Sequence, residues 1–119
     1  MGNSISDHVE EEKKIAKKRK AVPKKIRYMV WRQYVGDSLN GKCYCCDGDI
    51  IIENWHVGHV ISVARGGGNI VENLRPLCAS CNLSMGERHM GDFIREYNLK
   101  GMGSKEFKIK TWFERSVYG

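Results

Sequence analysis

The chain opens without an apolar leader, contains no hydrophobic run long enough to span a bilayer, and shows no internal repeat. These absences argue against a secreted, membrane-spanning or repeat protein. They also place its five cysteines in a reducing compartment, where closely spaced pairs hold metal more often than they form disulfides. At 119 residues there is no room for a second sizeable domain. The core such a chain can bury is modest for its surface, so something besides apolar burial is expected to hold it together.

Charge of either sign is nearly balanced over most of the sequence; the exception is the start. Residues 1–27 carry nine Lys or Arg against Asp7, Glu10, Glu11 and Glu12, so most of the net +6 lies there. A basic arm on a near-neutral body suits a polyanionic partner, because each phosphate neutralised releases a counterion. A solvated arm with no partner is the plainer reading. The cluster Lys17-Lys18-Arg19-Lys20 fits a DNA-binding arm, a nuclear import signal or a lipid-facing patch. Met1-Gly2-Asn3-Ser4-Ile5-Ser6 also matches the short N-myristoylation pattern, and membrane contact is expected only if Gly2 is acylated.

Pattern divides the chain into a flexible arm (1–22), a folded domain with flanking helices (23–103) and a tail (104–119) that resists assignment. Pro23 can start a helix, with Ile26, Met29, Val30 and Tyr34 at helical spacing, Trp31 beside that stripe and Gly36 as the stop. Residues 37–41 read as a turn, and 50–53 and 56–63 as short β-branched strands. Gly66-Gly67-Gly68-Asn69 is a loop, 74–77 a strand and 79–85 a short helix running into Gly86. Met90, Phe93, Ile94 and Tyr97 mark another helix, closed by Gly101.

Cys43-x-x-Cys46 and Cys78-x-x-Cys81 are the strongest signal present. Two such knuckles supply the four thiolates of a closed tetrahedral zinc site, which leaves no open position for chemistry and is therefore structural. Cys45 is read as a bystander, since C-x-C is the less usual knuckle.

Between the knuckles lie His59-Val60-Ile61-Ser62, the glycine loop, Glu72-Asn73-Leu74-Arg75-Pro76-Leu77-Cys78 and Cys81-Asn82. From about Gly41 to Met90 the sequence resembles the HNH endonuclease family in its four-cysteine, zinc-bound form, and is most similar to HNH proteins carried by phages and large DNA viruses. The resemblance implies an α+β fold built on a small ββα-metal unit, a hairpin and a helix gripping one divalent ion, with structural zinc knuckles and flanking helices. It implies a metal-dependent DNA endonuclease in the cytoplasm or nucleus of a host cell, or in a virion. Carried over, His59 would be the general base that activates water, Asn73 would tie the loop so that His59 points correctly, and Asn82 would coordinate the catalytic ion. Imidazoles titrate near pH 6.5, which suits a histidine to accept protons at neutral pH. An amide oxygen is a hard ligand that favours magnesium or manganese over zinc.

The departure from the family pattern is Gly58, which stands where most members carry an aspartate ligand. His59 itself, His56, Glu72, Glu87 or the substrate phosphate is then left to complete the shell. Arg65 and Arg75 are candidates to hold the DNA backbone, and His89 reads as a surface or phosphate-contacting histidine. A zinc-ribbon module that binds DNA without cutting it is the alternative. A zinc deaminase, suggested by His8-Val9-Glu10 and Pro76-x-Cys78-x-x-Cys81, would leave Cys43 and Cys46 without a role. A homodimer would set two single-strand cutters on opposite strands, but nothing in the sequence demands it.

Overall fold

The computed structural model describes residues 21–107. The basic cluster Lys17, Lys18, Arg19 and Lys20, the pattern at Gly2 and most of the tail lie outside the described residues. Helix α1 (Lys24–Tyr34) is followed by a small antiparallel pair, β1 (Asn40–Lys42) and β2 (Asp49–Ile51). A second antiparallel pair joins β3 (His56–His59) to β4 (Leu74–Leu77) across a long loop that contains two 3-10 turns, Val63–Arg65 and Val71–Asn73. Three helices follow: α2 (Ala79–Met85), α3 (Met90–Tyr97) and α4 (Met102–Glu106). The result is a small α+β domain in which the β3–β4 hairpin and α2 form the central ββα unit.

Val30, Trp31, Leu74, Leu77, Met90 and Ile94 form the fully enclosed part of one core that runs between α1, the hairpin and α3. The buried face of α1 is rotated from the expected stripe: Met29 is 46 % exposed whereas Trp31 is 2 % exposed. The cause is the indole, which packs on Trp55 at 5.2 Å and donates from Nε1 to the Ser38 carbonyl. An aromatic of this size dominates the burial of a short helix.

Other boundaries shift for equally local reasons. The strand that begins at His56 stops at His59, four residues before the expected end, because the chain turns into the loop at Val60. Helix α3 ends at Asn98, left-handed at φ 52°, whose N–H reaches the Arg95 and Ile94 carbonyls. Gly101, the expected stop, serves instead as a point of close approach. Its N–H donates to the Cys45 carbonyl at 2.8 Å, and a Cβ there would stand 2.4 Å from the Tyr44 carbonyl oxygen.

Helix α4 crosses the expected domain limit at residue 103 and carries Glu106 to the hairpin. Arg75, 5 % exposed, donates to Glu106 from Nε at 2.9 Å and from Nη2 at 2.6 Å. Its Nη1 donates to the Glu72 and Leu74 carbonyls, and the guanidinium lies 4.8 Å from the Tyr34 ring centre. The Tyr44 hydroxyl donates to Glu106 at 2.6 Å. Hydrogen bonding from Arg75 first, and from Tyr44, holds the Glu106 carboxyl below its ordinary value although partial burial opposes this. A depressed folded value contributes stability that is complete above the unfolded carboxylate range, near pH 4.3, and is lost as pH falls through the folded value. Glu106→Gln is therefore expected to cost roughly 1–2 kcal/mol near neutrality, screening at the one-third-exposed carboxylate included. Urea melts of the two proteins should converge below the usual carboxylate range, and a constant gap down to strong acid would contradict this.

Candidate active site and metal centre

Cys43, Cys46, Cys78 and Cys81 come together with their sulfur atoms all within 4.8 Å of one another. Each knuckle has its own backbone frame. In the first, Cys43 N–H donates to Gly48 O, Asp47 N–H to Cys43 O, and Gly48 N–H to the Cys46 sulfur at 3.3 Å. In the second, Cys78 caps α2 and its sulfur accepts from Cys81 N–H at 3.4 Å. Tyr44 N–H to Pro76 O fastens the two frames together. Zinc–sulfur bonds of about 2.3 Å in a tetrahedron put sulfurs about 3.8 Å apart, and Cys46 and Cys78 stand at 3.9 Å. Amide donors of this kind support thiolate charge.

Cys45 is outside this set. Its thiol is fully buried, and its interaction with Cys43 is the first cause that holds the Cys43 thiol below its ordinary value and the Cys45 thiol above its own. The four sulfurs placed so that they could hold a metal ion are those of Cys43, Cys46, Cys78 and Cys81.

A cleft of about 310 Å³ opens beside α2 and is lined by His59, Ser62, Val63, Ala64, Asn82, Met85, Gly86 and Glu87. His59, the last residue of β3, and Asn82, in the first turns of α2, therefore face one space. Asn73 does not line it. Its side chain, 9 % exposed, accepts from Ile61 N–H at 2.9 Å and donates to the Ile61 and Gly68 carbonyls, both at 3.0 Å. The backbone bond from Val60 N–H to Asn73 O adds a fourth tie, and Met90 N–H to Val60 O fixes the loop to α3. One amide thereby clamps both limbs of the loop that leaves His59.

Three further residues in or near the cleft carry no distinct signal in the sequence. Ser62 is 8 % exposed and its hydroxyl, buried in the cleft wall, has no hydrogen-bond partner among the described residues. Glu87 is one of several carboxylates that could serve the site by pattern alone; the fold brings it to the cleft and leaves Glu72 in the 3-10 turn, away from the lining. Asn69 lies in the glycine loop with its Oδ1 2.7 Å from His59 Nε2. No spacing rule signals Asn69, since the contact depends on how a glycine-rich loop folds back.

The remaining candidates are distributed differently from expectation. His56, at the far end of β3 and exposed, is not among the cleft residues. His89 is the N-cap of α3: its Nδ1 accepts from Gly91 N–H at 2.9 Å and its ring packs edge-on against Phe107. It is half-buried and caps α3 through Nδ1, a role the residue pattern does not signal. Arg75 is internal, tied to Glu106, and is unavailable to a DNA phosphate. Arg65 is exposed, and its Nε donates to the Glu87 carbonyl at 3.0 Å, which stations its charge at the edge of the cleft.

Gly58 pairs with Arg75 in the hairpin. A Cβ at this position would stand 2.2 Å from Leu77 Cδ1 and 2.7 Å from Leu77 Cγ, and Leu77 is wholly buried. The site therefore has no space for the aspartate that the family pattern places there. Gly58→Asp is expected to destabilise by roughly 2–4 kcal/mol through overpacking and carboxylate burial. Thermal melts should show the loss, and an undiminished melting temperature would contradict the packing argument.

A small α+β domain with four cysteines brought together, and with histidine and asparagine facing one cleft, defines a class of small ββα proteins whose cysteines could hold a metal ion. A profile of the HNH endonuclease family matches residues 43–98, and that stretch of the chain belongs to the HNH endonuclease family. The CRISPR-associated endonuclease Cas9 of Corynebacterium diphtheriae is 28 % identical over 89 residues, covering 74 % of this chain and 8 % of that protein. No solved structure gives a significant match. Among the described residues no helix is long and apolar enough to cross a membrane.

Proposed function

We propose that the domain is a DNA endonuclease that hydrolyses one phosphodiester bond at the cleft, with zinc in the cysteine cluster and magnesium or manganese beside Asn82. The single observation that supports this most is that His59 and Asn82 line the same cleft. The donors fit a hard cation. Asn82 and Glu87 offer oxygen, and the Ser62 hydroxyl is a buried polar atom still in want of a partner. When bound, such an ion stabilises negative charge on the phosphate and the leaving oxygen.

The rest of the work falls to the protein. His59 takes the proton from the attacking water. The Asn73 clamp keeps the strand end from swinging, so the ring stays aligned with the bond to be cut. Arg65, at the cleft edge, contacts the DNA backbone.

One observation favours a second reading, a module that binds DNA without cutting. Position 58 has no room for a carboxylate, and a hard cation depends on anionic oxygen. Incubating the zinc-loaded protein with supercoiled plasmid and magnesium or manganese separates the two readings. Relaxed circles that vanish when His59 is replaced support the nuclease; retarded but uncut plasmid supports the binding module.

A further inference from the structure

A neutral imidazole carries one N–H, and which nitrogen bears it decides which one can accept a proton. In this protein the acceptor facing Nε2 is an amide oxygen, Asn69 Oδ1, at 2.7 Å. That oxygen can only accept, and the separation is a short, strong hydrogen bond. With the amide oxygen turned to the ring, the hydrogen belongs on Nε2 and the lone pair on Nδ1. Among the described residues no hydrogen bond to His59 Nδ1 is formed.

The acceptor is itself held. The Asn73 clamp grips Gly68 O, one residue before Asn69, and both backbone groups of Ile61, two residues after His59. Ring and acceptor therefore share one frame, and the clamp fixes their separation as well as the loop path.

We propose that Asn69 is the positioning residue of this site: it fixes His59 as the Nε2–H tautomer, so that Nδ1 alone accepts the proton. This rests on the reading of His59 as general base. A ring with one nitrogen so engaged has a single lone pair left. It can take a proton from water or ligate an ion, but not both, so the divalent ion is held by oxygen ligands such as Asn82 and His59 is not among them.

The test uses the full, zinc-loaded chain labelled with 15N. Long-range 1H–15N spectra, recorded where the ring is neutral, report the tautomer directly and require no cleavage. The expected wild-type spectrum shows Nε2 protonated and Nδ1 as the bare nitrogen. Asn69→Ala should give a mixture of tautomers, while Asn69→Asp, which keeps an acceptor oxygen, should restore the Nε2–H form. Backbone amide spectra show whether each variant is folded. In cleavage assays Asn69→Ala should lower kcat roughly tenfold with KM unchanged, the scale of one hydrogen bond, with recovery in Asn69→Asp. A wild-type ring protonated at Nδ1, or one whose tautomer does not respond to Asn69→Ala, overturns the proposal. A chain that never cuts, yet shows the tautomer pattern, refutes the nuclease reading and leaves Asn69's hold on the ring standing.

Discussion

Stripping zinc from the protein under reducing conditions is expected to unfold it. The two knuckles bring separate segments to one point: the β1–β2 turn, the end of β4 and the start of α2 all converge on four sulfurs within 4.8 Å. Zinc binding to four thiolates is worth on the order of 10 kcal/mol, comparable with the whole stability of an ordinary domain, about 5–15 kcal/mol. Chelation should therefore abolish the dispersed amide spectrum and the near-ultraviolet signal of Trp31 and Trp55, and readdition of one zinc per chain should restore both. Cys78→Ser should behave like the stripped protein. Cys45→Ser should keep its zinc, because Cys45 stands outside the four-sulfur cluster. A metal-free chain with native spectra would falsify the staple.

The second large effect is on catalysis. His59→Ala is expected to lower plasmid cleavage by about 10²–10⁴-fold, the contribution of a positioned general base, while manganese binding measured by electron paramagnetic resonance stays close to wild type. Asn82→Ala should reduce manganese binding and cleavage together. The contrast follows from the tautomer: the ring has one lone pair to offer and gives it to a proton. Loss of manganese in the histidine variant would mean that the ring is a ligand and that the base lies elsewhere.

Features that depend on close neighbours along the chain are legible in the residue pattern itself. The cysteine knuckles are local turns whose spacing brings four sulfurs together, and Met90, Phe93 and Ile94 follow a local period; these stand where expected, whereas Tyr97, the fourth of that stripe, is 53 % exposed. Asn73 as a loop tie is legible only through family resemblance, and its three side-chain bonds give that role a geometry. What the pattern hides depends on distant partners. Arg75 looks like any surface charge until Glu106, thirty-one residues later, closes on it. His89 resembles a site histidine until its ring is found capping α3. Gly58 looks like a lost ligand, and only the packing of Leu77 against its backbone shows why no side chain fits. β1, three residues long and with Gly41 at its centre, has too little pattern to separate it from a turn.

The family match covers less of this chain than the part that holds together. The family match ends at residue 98, yet Gly101 and Gly103 rest on the carbonyls of Tyr44 and Cys45, and Glu106 neutralises Arg75. Upstream, Trp31 closes the core from a helix that the match does not include. An excised fragment trimmed to 43–98 would strand a guanidinium in the interior with no counter-ion and leave one flank of the core open to water. Grafts and fusions that borrow this domain should run from Pro23 to Phe107.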